Sequence, residues 1–102
     1  MRVEFTWKDD VEVRTLRGCW SRDHSLLSRT AASKVLDLPP MYPLVVDLRE
    51  VEMFDSWAST QVLKLVDQYA ALVVGVREEL PLDLADYPLK ASMEEALDEI
   101  VE

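Results

Sequence analysis

A carboxylate and a hydroxyl stand side by side at Asp55 and Ser56, between an apolar run and a helical repeat. Both side chains accept hydrogen bonds from the free N–H groups of a helix start, a capping role worth about 1 kcal/mol. Trp57 follows directly, and Ser59 and Thr60 add two hydroxyls one turn on. The sequence offers no nucleophile–base pair. Cys19 has no histidine near it, and a packed thiol is its simpler role. His24, the only histidine, lacks cysteines at metal-ligand spacing and reads as a solvent-facing helix residue. Acid–base work needs perturbed carboxylates in a concave pocket, which nothing in the sequence marks. Glu94, Glu95, Asp98, Glu99 and Glu102 read as a solvated helix face. No catalytic residue, metal or cofactor is expected.

The elements that must position Asp55 and Ser56 lie on either side. Leu44, Val45 and Val46 form an aliphatic run suited to a strand covered on both faces. A short acidic loop follows, and Met53 and Phe54 return the chain to apolar surroundings. Val62, Leu65, Val66 and Tyr69 recur at i, i+3, i+4 and i+7, the stripe of an amphipathic helix over 56–69. Residues 72–76 read as another buried strand, giving a parallel pair with a right-handed crossover. Upstream, Val3, Phe5 and Trp7 alternate with Glu4, Thr6 and Lys8, a half-buried strand. Asp9-Asp10 is a turn. Val11 and Val13 restart the alternation to about Cys19, closing an antiparallel hairpin with a bulge near Gly18. Residues 21–36 read as a first helix with Leu27, Thr30, Ala31, Lys34 and Val35 inward, ended by Pro39-Pro40. Pro81 and Pro88 break 77–88 into short pieces, and Leu89-Lys90-Ala91 reads as a short last strand. Ser92 and Glu95 form a capping box for a terminal helix with Met93, Ala96, Leu97, Ile100 and Val101 on its buried stripe. The expected fold class is α/β: a small mixed sheet of four or five strands, an N-terminal antiparallel hairpin followed by parallel strands, with helices packed on it.

Length and charge narrow the function further. The 102 residues suit one domain, 1–102, and 49% hydrophobic content supports a packed core. A net charge of −9 would be repelled by phosphate backbones, so nucleic acid is not an expected partner. No apolar run approaches the ~20 residues of a membrane span, so membrane insertion is not expected. The stretch 1–5 has no signal-peptide core, and a lone cysteine suits a reducing compartment, so the expected location is cytoplasmic. With only two glycines, phosphate-cradling glycine loops are absent.

The run Val46-Asp47-Leu48-Arg49-Glu50-Val51-Glu52-Met53-Phe54-Asp55-Ser56 resembles the core motif of STAS domains, the family of bacterial anti-sigma-factor antagonists and stressosome subunits. The family pattern is an apolar strand, V-x-x-[IVM]-D-S, then a helix. The likeness continues through the following helix and strand and the helix from Met93. It implies a STAS-like fold and a non-enzymatic regulatory module acting by protein–protein contact. It also implies that Ser56 is phosphorylated by a partner serine kinase, which is often the anti-sigma factor itself. The unmodified form would bind that partner and free a sigma factor. Another STAS-system protein is the alternative partner, and a homodimer stays open.

The physics of that switch is coherent. A phosphate adds about −1.5 to −2 charge, and a helix N-terminus tolerates it. Asp55, Asp47, Glu50 and Glu52 are expected to make the surface negative already, so added charge would repel a partner that fits the unmodified face. The bland alternative is that Ser56 is only a cap. Asp55 either caps the helix or holds the Ser56 hydroxyl for the kinase. Trp57 resembles the large apolar residue that stressosome-type members carry after the serine. It is either an exposed interface anchor or packing against Pro81 or Leu82. Ser59 and Thr60 are secondary acceptors or plain surface hydroxyls. Trp20, Ser21 and Asp23 lie on a loop that helps bind the partner in the family. That loop often reads Gly-Glu-Leu-Asp; here Gly18 is kept and the acidic residues do not match. A rival reading is a constitutive STAS-type subunit, as in stressosome shells or beside lipid-transport ATPases, with Trp57 as anchor. A small enzyme or ligand-binding domain ranks third.

Overall fold

The N-terminal alternation is realised as β1 (Arg2–Lys8), paired antiparallel with β2 (Val11–Trp20) from Arg2↔Arg17 to Lys8↔Val11. The structure, a computed structural model, describes residues 1–23, 25–75, 90 and 92–101. Asp9 and Asp10 join the two strands with φ of 53° and 64°. Two left-handed residues make a turn of type I′, whose twist matches that of the hairpin, and aspartate tolerates this region better than most side chains. Trp7 is 57% exposed, so the apolar face of β1 is covered only around Val3 and Phe5.

β2 is the centre of the sheet. Its first half pairs in parallel with β3 (Leu44–Asp47), and its second half pairs in parallel with β4 (Val51–Phe54). The stretch expected as an acidic loop therefore contains a strand. Only Leu48 to Glu50 bulge away from β2, and the register shifts once more at Gly18/Cys19. The bulge foreseen near Gly18 is this shift. Gly18 has φ of 81°, and a Cβ there would sit 3.2 Å from the Met1 backbone nitrogen. Met53 is not returned to the interior but is 54% exposed, while Phe54 is buried.

α2 (Ser56–Tyr69) follows β4 and leads to β5 (Leu72–Val74), which lies parallel to β3 from Val45↔Leu72 to Asp47↔Val74. The sheet order is β1-β2-β3-β5, with β4 beside the end of β2. Lys90 forms a parallel bridge to Val74; the flanking Leu89 and Ala91, Val76, and the proline-broken stretch 77–88 lie outside the described residues. α3 (Met93–Val101) begins as expected, the Ser92 hydroxyl accepting from the Glu95 N–H at 3.2 Å. Among the described residues the architecture is α/β: one mixed open sheet of five strands and three helices. No helix among them is long and apolar enough to cross a membrane.

Both faces of the sheet are covered. One carries Leu16, Leu44, Val46 and Val73, packed with Leu36, Ala58, Val62 and Leu65 from the first two helices. The other carries Val11, Val13, Val45 and Val74 against Ala96, with Met93, Leu97 and Ile100 around them. A strand covered twice must bury its polar positions too, and Glu12, Arg14 and Thr15 are all buried. Arg14 resolves this by pairing with Glu12 at 2.6 Å, lying 5.0 Å from the Phe5 ring centroid, and donating to the carbonyls of Leu36 and Leu38.

Those last two bonds set the rotation of α1 (Leu26–Leu36) and overturn the expected inner face. The helix starts after Ser25, whose hydroxyl accepts from the Ser28 N–H, not at residue 21. Leu36 is fully buried, with Ala32 partly buried beside it. Leu27 is 82% exposed and Val35 43%, and Thr30, Ala31 and Lys34 are also outside. Arg14 holds the end of the helix down on the sheet through the Leu36 and Leu38 carbonyls, with Leu36 inward and Leu26, Leu27 and Val35 outward.

Candidate functional site

The parallel strands β2 and β4 end together, Trp20 opposite Phe54, and the two chains then part. Crevices at the carboxyl ends of parallel strands are where open α/β sheets place their binding residues. Here one chain becomes the Ser21–Asp23 loop and the other becomes Asp55 and α2. The Asp55 N–H donates to the Trp20 carbonyl at 3.2 Å, so the junction is closed by backbone before any side chain acts.

Asp55 is the N-cap of α2, with extended backbone at φ −103° and ψ −176°. One carboxylate oxygen accepts from the Ala58 N–H at 3.0 Å, and the other accepts from the Arg22 N–H at 2.8 Å. The Ser21 hydroxyl donates to it as well, and the Arg22 guanidinium lies 4.0 Å away. Burial pushes the carboxyl pKa up, but these donors and the arginine outweigh it and hold the group below its ordinary value. Asp55 is thus a latch between the loop and the helix as well as a cap; its oxygens serve Ala58, Arg22 and Ser21.

Ser56 is the first residue of the helix and is exposed. Its carbonyl accepts from the Thr60 hydroxyl at 3.0 Å, and Thr60 is itself exposed. Ser59 is different: it is fully buried, and its hydroxyl has no partner among the described residues. Ser59 therefore does not belong to the surface that a kinase or partner meets. It sits on the inner side of the first turn, next to Ala58 and one turn before Val62.

Trp57 is half-buried and stacks on the fully buried Trp20, with ring centroids 6.4 Å apart and planes at 18°. The guanidinium of Arg29 from α1 lies over the Trp57 ring, 5.7 Å from its centroid. Trp57 is thereby a packed connector of α1, β2 and α2 rather than a free aromatic anchor; a contact with Pro81 or Leu82 falls outside the described residues. The Trp20 indole N–H donates to the Arg17 carbonyl at 3.1 Å. Ser21 is buried, and its hydroxyl also accepts from the Asp23 N–H at 3.2 Å; Asp23 is exposed. The fold therefore gathers Trp20, Ser21, Asp23, Asp55, Ser56, Trp57 and Thr60 at one end of the sheet. Arg22 and Arg29 are the members that sequence reasoning missed. Their contribution is tertiary, and no local spacing signals it.

The expected negative surface is corrected in the same way. Asp47 is buried and bound by Arg49 at 3.0 Å through both carboxylate oxygens, a contact that raises the arginine's pKa. Glu50 lies 3.5 Å from Arg17. The Cys19 thiol is half-buried, with its sulfur 3.9 Å from a Glu52 carboxylate oxygen. Of the four carboxylates expected to make this surface negative, Asp47, Asp55 and Glu50 thus face arginines, Arg17 being shared with Glu4, and Glu52 does not. Among the described residues no group of three His, Cys, Asp or Glu side chains is arranged to hold a metal ion; His24 lies outside them.

Comparison with known proteins adds no family: the chain matches no protein-family model and no curated protein.

Proposed function

We propose that this chain is a non-enzymatic, STAS-like regulatory module that binds a protein partner through the Trp20–Asp55–Trp57 end and is switched by phosphorylation of Ser56. The observation that carries this reading is the exposed Ser56 hydroxyl at the first position of α2, beside an aspartate already committed to the loop and the helix. A phosphate there meets a helix N-terminus, a favourable interaction of about 0.3–1 kcal/mol at a surface, so the domain stays folded. What changes is the charge a docked partner meets. Asp47, Glu50 and Asp55 each face an arginine, so an added charge of about −2 is a large change beside them.

The partner class that fits is a serine kinase or anti-sigma factor, or another protein of a STAS system, acting in the cytoplasm. The test is phosphopeptide mass spectrometry on protein isolated from its native cells, with co-purifying proteins identified in the same sample. Phosphate on Ser56 with a co-purifying kinase supports the switch. Partner affinity should then fall by more than tenfold in Ser56→Asp and stay near wild type in Ser56→Ala. Unmodified Ser56 under growth and stress, beside a stable stoichiometric partner, overturns the switch and leaves the constitutive subunit. The exposed aliphatic residues of α1 favour that second reading, since they offer an interface that needs no modification.

A further inference from the structure

We infer that β1 is the two-fold interface of a homodimer, in which two copies join their sheets edge to edge about Thr6. Among the described residues β1 pairs only with β2, so its other edge is open. Lys8 and Val11 flank a two-residue turn and form a hydrogen-bonded pair. Lys8, Thr6 and Glu4 therefore turn their backbone groups toward β2, and Val3, Phe5 and Trp7 turn theirs toward the open edge. An open edge of this length is a template for another strand.

The sequence of β1 selects that strand. An antiparallel copy centred on Thr6 places Glu4 opposite Lys8 of the second copy and Lys8 opposite its Glu4. It also places Phe5 opposite Trp7 twice, as hydrogen-bonded pairs of aromatic residues. Opposite charges and aromatic pairs across strands both stabilise a ladder. The competing registers fail on charge: a centre on Phe5 sets Arg2 against Lys8, and a centre on Glu4 sets Glu4 against Glu4. A two-fold contact must be complementary to itself, and the Thr6 register meets that condition over residues 4–8, with Arg2 and Val3 falling opposite the Asp9–Asp10 turn of the second copy.

The surroundings of the edge point the same way. Of the exposed large apolar residues among those described, Trp7, Leu26, Leu27, Val35, Leu38, Met41 and Tyr42 belong to β1, α1 or the segment after α1, and Met53 of β4 is the exception. Ala31 and Val35 line a groove with Arg2 and Val3, so the outward face of α1 stands over the β1 edge. A two-fold axis perpendicular to the joined sheet keeps faces matched, which brings the two α1 helices to the same side.

Sedimentation analysis of the full chain tests the inference at concentrations up to about 100 µM, where a micromolar Kd populates the dimer. The wild type should dimerise. Lys8→Glu should weaken self-association about tenfold or more, because the axis counts the substitution twice, and it leaves the 2.9 Å Glu4–Arg17 pair intact. Glu4→Lys should do the same. Mixing Lys8→Glu with Glu4→Lys should restore a heterodimer, since every cross-strand pair is then of opposite sign. A monomeric wild type overturns the dimer. A dimer indifferent to both substitutions, or a mixture that stays monomeric while each variant remains folded by circular dichroism, overturns the register.

Discussion

Two carboxylates in this chain have opposite accounts of their charge. Glu12 is buried and paired with Arg14, which also satisfies the carbonyls of Leu36 and Leu38 at and just past the end of α1. Removing one partner of a buried pair strands the other, at about 3–5 kcal/mol. Arg14→Ala should therefore lower the urea-unfolding free energy by about that much, a large share of the 5–15 kcal/mol typical of a domain. The double variant Glu12→Leu/Arg14→Met should recover part of the loss, because no charge is left behind. An Arg14→Ala protein within 1 kcal/mol of wild type would refute this account. Asp55 has its stability linked to pH instead. Its folded pKa is held below the ordinary value of about 3.9. The ionised group therefore stabilises the fold fully above that value and loses this contribution as pH falls through the folded pKa. Asparagine still caps a helix but carries no charge. Asp55→Asn should be less stable than wild type at pH 7, and the gap should close in acid. A gap of constant size across an acid series of urea melts would show that charge is not the cause.

At the scale of elements, α1 and β4 show where sequence and structure diverge. The α2 stripe was legible because Val62 and Leu65 are both large and buried, with Val66 and Tyr69 partly so. The hairpin was legible from strict alternation around Asp9-Asp10. In α1 the aliphatic residues Leu26, Leu27 and Val35 face outward, and the inward positions are the buried Leu36 and the small, partly buried Ala32. Hydrophobicity alone therefore selects the wrong face; the decisive contact comes from Arg14, twenty-two residues before Leu36. β4 was hidden because Glu52 and Met53 project to solvent and only its backbone belongs to the sheet. Of the candidate site, Asp55 as a cap could be read locally, but its hold on Arg22 could not. A direct check compares two leucines ten positions or fewer apart. Leu36→Ala should cost about 2–5 kcal/mol by emptying a packed site, whereas Leu27→Ala should stay within about 0.5 kcal/mol in the monomer. Equal costs would restore the expected inner face.

For the whole molecule, long-range repulsion competes with local ion pairs, and magnitudes decide between them. The chain carries 20 acidic and 11 basic side chains, a net charge of −9. The surface pairs Arg17–Glu4 at 2.9 Å, Arg17–Glu50 at 3.5 Å and Arg22–Asp55 at 4.0 Å are each worth about 0–1 kcal/mol and weaken in salt. The radius of gyration is 12.7 Å, so most like charges sit farther apart than the Debye length of about 8 Å at physiological ionic strength. Salt therefore removes the many distant repulsions more completely than the few close attractions. The buried Arg14–Glu12 pair is shielded from ions and changes little. Urea-unfolding midpoints should accordingly rise as NaCl is raised from about 10 mM to 150 mM, and most of the gain should be complete by then. A falling midpoint would mean that the surface pairs outweigh the net charge. Ser56→Asp makes the molecule one charge more negative, so its stability should depend on salt slightly more steeply than that of wild type. That steeper dependence would also separate a change in the global field from any effect confined to the partner-binding end.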